Sequence, residues 1–172
     1  MAAMFPSART RIAGVALAVI LCGASGAEAR GDALRAGIAA FNRHAYVQAG
    51  IILLPLAERG NPQAQTYLGF MYANGRGVPQ IYEIAAQWYQ SAAEHGVALA
   101  QYMLGKMWDK GQGVPQDYVT AYAWLNLATA NTAPRDREYW TRIRDAIGGK
   151  LSVAELTQAQ RLAIDWQAVR IR

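Results

Sequence analysis

From residue 61 onward, apolar and polar positions alternate with a helical rhythm. Ala64, Leu68, Met71 and Tyr72 are spaced by four, three and one, and Ala85, Trp88, Tyr89 and Ala92 repeat that kind of spacing further on. Residues so placed share one face of an α-helix. Asn61-Pro62 predicts the start of the first helix, because Asn caps and Pro is tolerated at the first helical position. "NGRGVP" predicts its end: Gly75 and Gly77 allow left-handed backbone, and Pro79 cannot continue a helix. A second helix is predicted from about Tyr82 to a stop at Gly96. Gly69 interrupts the first helix, where glycine costs about 1 kcal/mol relative to alanine. It predicts close approach of the partner helix, since a side chain there would push the two apart.

The pattern recurs. Ala64–Gly96 aligns without a gap on Ala100–Thr132, 36 residues later, with 14 of 33 positions identical. The matches include Leu68/Leu104, Gly69/Gly105, Met71/Met107, Gly75/Gly111, Gly77/Gly113, Pro79/Pro115, Tyr82/Tyr118 and Trp88/Trp124. A fixed period of this length marks a solenoid, in which units that cannot bury an apolar face alone bury one another's. Trp88 and Trp124 are expected to fill the space between helices. A weaker copy lies upstream, where Tyr46–Gly60 aligns with Tyr82–Gly96 at the same offset. Its first helix is predicted over about Ala33–His44, with Gly37 as the equivalent of Gly69. Gly37 lies nine residues before Tyr46, whereas Gly69 lies thirteen before Tyr82, so the first unit lacks four residues of the loop.

The pattern A-x-x-x-L-G-x-M-Y/W-x-x-G-x-G-V-P-Q-x-Y-x-x-A-x-x-W resembles the Sel-one-like repeat, a relative of the tetratricopeptide repeat. Two units match it strongly, and the short-looped first unit looks more like a plain tetratricopeptide repeat. The resemblance implies an all-α fold: an α/α solenoid of tandem helix-turn-helix repeats whose first helices line a concave groove. It also implies an adaptor or scaffold rather than an enzyme. Some cysteine-rich secreted relatives have been described as β-lactam-binding or hydrolysing, which supplies the alternative reading, an exported enzyme of the cell-wall or β-lactam type. Those carry a disulfide in every repeat, whereas this chain has Cys22 alone.

The flanks differ from the repeats. Arg9 and Arg11 precede the uncharged run "IAGVALAVILCGASGA", which closes in "AEA" at Ala27–Ala29. A positive start, a short apolar middle and an A-x-A end predict a secretory signal peptide over 1–29. Ile12–Cys22 is too short to span a bilayer. The readings weighed against this are an uncleaved anchor and a lipoprotein modified at Cys22, which bulky Leu21 disfavours. Cleavage after Ala29 predicts a periplasmic or secreted chain of 143 residues, with no cysteine and no membrane span. At the other end, residues 133–172 read as two C-terminal capping helices. Pro134 opens the first, Gly148-Gly149 ends it, and Ser152-x-x-Glu155 opens the second with a capping-box pattern. The expected divisions are therefore 30–60 for the tetratricopeptide-like unit, 61–96 and 97–132 for the two Sel-one-like units, and 133–172 for the cap.

Charge and chemistry narrow the function. From Asp32 to Asn131 six basic residues face six acidic ones, and the basic excess lies after Thr132. There Arg135, Arg137, Arg142 and Arg144 interleave with Asp136, Glu138 and Asp145, which reads as a solvated face and not as a nucleic-acid patch. His44 and His95 are the only histidines. Glu58 and Glu94 are copies of one repeat position, and "GRGVPQ" recurs with the period, unlike a phosphate loop. No catalytic, metal-ligating or cofactor-binding residue is assigned. A protein or peptide partner is expected instead. Counting from Gly37, Gly69 and Gly105, the groove positions are expected at Leu34, Ile38, Phe41 and Asn42; at Thr66, Phe70, Ala73 and Asn74; and at Tyr102, Lys106, Asp109 and Lys110. These positions vary between units where core positions match, as a surface tuned to one partner does.

Overall fold

The computed structural model describes residues 28–170. The signal-peptide and lipidation expectations fall on residues 1–27 and so lie outside the described residues. Within them the chain forms eight helices joined by turns. We label them α1 (28–42), α2 (Tyr46–Glu58), α3 (Pro62–Asn74), α4 (Tyr82–Glu94), α5 (Ala98–Lys110), α6 (Tyr118–Asn131), α7 (Pro134–Gly148) and α8 (Val153–Arg170). Helices α1 and α2, α3 and α4, and α5 and α6 pack as pairs, and each pair packs on the next, giving an all-α solenoid. The chain is already helical at residue 28, five residues before the apolar pattern predicts, and α1 stops two residues early. Within α1, Asp32 pairs with exposed Arg35 one turn on.

Local chemistry explains the boundaries. The N–H of Ala64 donates to Asn61 Oδ1 at 2.9 Å, and Pro62 occupies the first turn. Gly75 (φ 63°) and Gly111 (φ 66°) close α3 and α5 in left-handed backbone. The loop glutamines then strap each seven-residue connection to the helix before it. Gln80 Nε2 donates to Ala73 O at 2.7 Å, and Gln116 Nε2 donates to Asp109 O at 2.7 Å. In the first unit three residues replace those seven, and His44 takes the positive φ of 62°. The predicted deficit of four residues is therefore real.

The helical glycines form three notches. A Cβ on Gly37 would meet Leu53 Cδ2 at 2.6 Å, one on Gly69 would meet the Tyr89 ring at 2.7 Å, and one on Gly105 would meet Leu125 Cγ at 2.8 Å. Leu53, Tyr89 and Leu125 are themselves one period apart. A buried glutamine ties each unit to its predecessor: Gln65 Nε2 donates to Ala57 O and Gln101 Nε2 to Ala93 O, both at 3.1 Å. Each glutamine adds a second donor to a helix-end carbonyl that already accepts from the turn, from Gly60 N–H and Gly96 N–H at 2.9 Å. The core runs along the array in three clusters, around Leu53, Leu68 and Met71, around Tyr89, Leu104 and Trp124, and around Tyr102, Leu125 and Trp140. Trp124 is buried as expected, and Trp88 is half-buried against the first cluster.

The last two helices both pack on α6. Trp166 of α8 stacks on Trp124 with ring centroids 4.4 Å apart, covering the flank of the final repeat. The capping box forms at the start of α8, with Ser152 N–H donating to Glu155 Oε2 at 2.8 Å and Glu155 N–H to Ser152 Oγ at 3.4 Å. On α7, Arg135 pairs with Asp136, Arg144 with Asp145, and Arg142 faces Glu138 at 4.0 Å, a mixed charged surface. No helix among the described residues is long and apolar enough to cross a membrane.

Candidate functional site

The first helices α1, α3 and α5 lie side by side, and a cavity of 360 Å³ opens between them. Phe41 forms one wall. Its ring meets Tyr67 at 4.8 Å and Phe70 at 5.4 Å, both edge-on, as the aromatic quadrupole favours. Thr66 stands beside them; its hydroxyl donates to Pro62 O at 2.8 Å, which turns its methyl into the useful surface. Leu99 and Met103 of α5 form the facing wall, with Gln63 at the edge and Tyr89 among the lining residues. Leu99 is 48% exposed, high for a leucine in a helical array. Tyr89 is buried, and burial pushes its phenol pKa well above the usual value; its hydroxyl has no hydrogen-bond partner. None of the lining residues is ionised at neutral pH, so the site accepts an apolar group and repels a bare charge.

The sequence-derived groove residues divide into two groups. Phe41, Thr66 and Phe70 come together in the cavity wall. Leu34 and Ile38 are half-buried, with Leu34 packed on the first core cluster. Asn42 and Asn74 are exposed, and Asn74 Nδ2 donates back to Phe70 O at 2.8 Å. Lys110 is exposed, and Lys106 Nζ sits 5.4 Å over the Tyr102 ring.

Two assignments are corrected. Tyr102 is not open to a partner. It is 6% exposed and stacks on Trp140 of α7 at 4.6 Å and 10°; burial, with Tyr139 beside it, raises its phenol pKa. Asp109 is not free to orient a ligand. Lys150 Nζ donates to it at 2.8 Å, tying α5 to the turn after α7 and raising the lysine pKa through that bond. Both residues serve the junction with the cap.

Reading positions from the glycines missed Gln63, Tyr67, Leu99 and Met103. The signal was present. Gln63/Leu99 and Tyr67/Met103 are each one period apart and vary between units, and with Thr66 and Phe70 the α3 members make an i, i+3, i+4, i+7 stripe. The cavity thus uses the expected face of α3, extended by about one turn toward the helix N-terminus.

This architecture and its repeated L-G-x-M and G-x-G-V-P-Q segments agree with the Sel1 (Sel-one) repeat family, whose profile matches residues 62–97 and 98–131. The chain carries two Sel1 repeats. Two solved structures resemble it over most of its length. One is a protective antigen of uropathogenic Escherichia coli strains displaying an SLR fold, 30% identical with a TM-score of 0.73; the match covers 80% of this chain and 29% of that one. The other is a Sel1 repeat protein from Oxalobacter formigenes, 31% identical with a TM-score of 0.60, covering 77% of this chain and 55% of that one. The chain thus spans less than two thirds of either relative. No protein with a curated description matches it. Sel1 repeats commonly serve as protein–protein interaction modules.

As to other chemistry, His44 Nδ1 lies 2.7 Å from Tyr46 Oη, and His95 Nδ1 lies 2.7 Å from Ser91 O at the end of α4. Among the described residues no group of three or more His, Cys, Asp or Glu side chains is placed to hold a metal.

Proposed function

We propose that this Sel1-like repeat protein is an exported, non-catalytic interaction module, an adaptor or scaffold that holds a peptide or protein segment along the groove of its first helices. The observation that carries this reading is the uncharged aromatic cavity bounded by Phe41, Tyr67, Phe70, Leu99 and Met103. An aromatic or aliphatic side chain of the partner enters it, and the segment runs on toward Lys106 and Lys110, which have no carboxylate partner among the described residues. Buried apolar anchors of this kind carry most of the free energy in protein interfaces, while exposed charges tune orientation and rate. Affinity capture from the envelope fraction of the host tests it. Phe70→Ala should weaken retention of the captured partner by about tenfold or more, with the circular dichroism unchanged. Equal retention by Phe70→Ala and the parent chain would remove the groove as the binding face. Export rests on the "AEA" pattern, and Edman sequencing of the protein from its host is expected to begin at Arg30. A start at Met1 would contradict it.

A further inference from the structure

A second cavity, of 550 Å³, lies on the other side of the array, where α4, α5 and α6 meet α8. Three indoles stand around it: Trp108 from α5, Trp124 from α6 and Trp166 from α8. Trp124 and Trp166, stacked on each other, form the apolar part of its lining with Leu127. The polar groups differ in what they have left to offer. Gln101 donates to Ala93 O and accepts from Asn131 Nδ2, both at 3.1 Å. Gln90 Nε2 donates to Glu94 Oε1 at 2.6 Å, which leaves the Gln90 carbonyl and the second Glu94 oxygen as acceptors. The indole N–H of Trp108 is shielded from solvent and has no partner. Glu94 is the one ionised lining residue and has no cationic partner among the described residues.

We propose that this cavity binds a neutral saccharide. The site presents indole surface and acceptor oxygens on Glu94 and Gln90, and the unmet N–H of Trp108 lies just beneath its lining. A sugar ring offers an apolar C–H face for the indoles, hydroxyl donors for Glu94 and Gln90, and a hydroxyl or ring oxygen for the Trp108 N–H. An organic cation would answer Glu94 and the indole faces but has no acceptor for that N–H. An anion is repelled by Glu94, and a purely apolar ligand leaves both polar ends unmatched. The site also departs from the repeat. One period earlier the equivalents of Gln90 and Trp108 are Leu54 and Tyr72, and Trp166 belongs to a helix outside the repeated units. The capping helix therefore completes a site that the repeats alone do not make.

Isothermal titration calorimetry of the full chain with cellotetraose, maltotetraose and the N-acetylglucosamine tetramer tests this. At least one of the three should bind saturably. Trp108→Phe, which removes the N–H donor together with the indole's second ring, and Glu94→Ala, at an exposed rim position, should each weaken it by about tenfold. Phe70→Ala should leave it unchanged, which separates this site from the groove. Heats of dilution alone for all three sugars would overturn the proposal, as would equal binding by Trp108→Phe and Glu94→Ala. Loss of binding in Phe70→Ala would also overturn it, by moving the sugar to the groove. Binding of choline in place of any sugar would show a cation cage instead.

Discussion

At the scale of single residues, glycine and tyrosine show what a sequence declares and what it hides. A glycine inside a helix is legible as a contact because it has no local justification, and Gly37, Gly69 and Gly105 each receive a side chain from the paired helix. The identity of the visitor (Leu, Tyr, Leu) was less legible, since any residue of that volume fills the notch. Gly105 is the strictest case: a Cβ there would lie 2.8 Å from Leu125 Cγ and 3.1 Å from the Ala121 carbonyl oxygen, which cannot swing away. Gly105→Leu should therefore destabilise the protein by about 1–3 kcal/mol or more through overpacking. Even Gly105→Ala should lower the melting temperature, although alanine gains about 1 kcal/mol in helix propensity. Thermal denaturation of both variants checks this, and an unchanged or raised midpoint in both would show that the helices are not in contact there. Tyr102 taught the opposite lesson. It varies from its copy, Thr66, and so read as a tuned groove residue. It varies because its neighbour is Trp140 of the cap, not another repeat. Variation between copies marks any unique environment, including a packed one.

Among elements, loops and caps carry the account. Gly77 and Gly113, the second glycines of the two long loops, press on the first residues of the preceding second helix; a Cβ on Gly77 would meet the Tyr46 carbonyl carbon at 2.7 Å, and one on Gly113 would meet the Tyr82 carbonyl. The long loop is thus an inter-unit contact, and the first unit does without it where no earlier unit stands among the described residues. The spacing showed the missing four residues; it did not show why, because that contact is long in sequence. The α8 capping box was legible down to its two residues, since its geometry is local. It also sets a pH dependence. The hydrogen bonds from Ser152 hold the Glu155 carboxyl below its usual pKa. A carboxyl lowered on folding stabilises the native state above its unfolded pKa and loses that contribution as pH falls through the folded one. Glu155→Ala should therefore melt below the parent at pH 7, and the gap should close toward pH 3. A gap of the same size at both values would show that the carboxylate does not cap α8.

For the whole molecule, the repeat period made the solenoid readable from the chain, because each unit states the same packing problem and the same solution. The cap was readable as two helices but not in its placement. Nothing in the spacing of residues 133–172 says that α7 covers Tyr102 or that α8 carries Trp166 onto Trp124. That placement buries Tyr102 and leaves the uncharged cavity around Phe70 as the open, apolar part of the first-helix face. The most direct measurement is site-specific photo-crosslinking in the native envelope fraction, with a benzophenone amino acid at position 70 and, for comparison, at Ile51, an exposed residue of the second helix α2. The account predicts one dominant polypeptide adduct from position 70 and none of that mass from position 51. Adducts of equal yield from both positions, or none from position 70 while position 51 reacts, would contradict it.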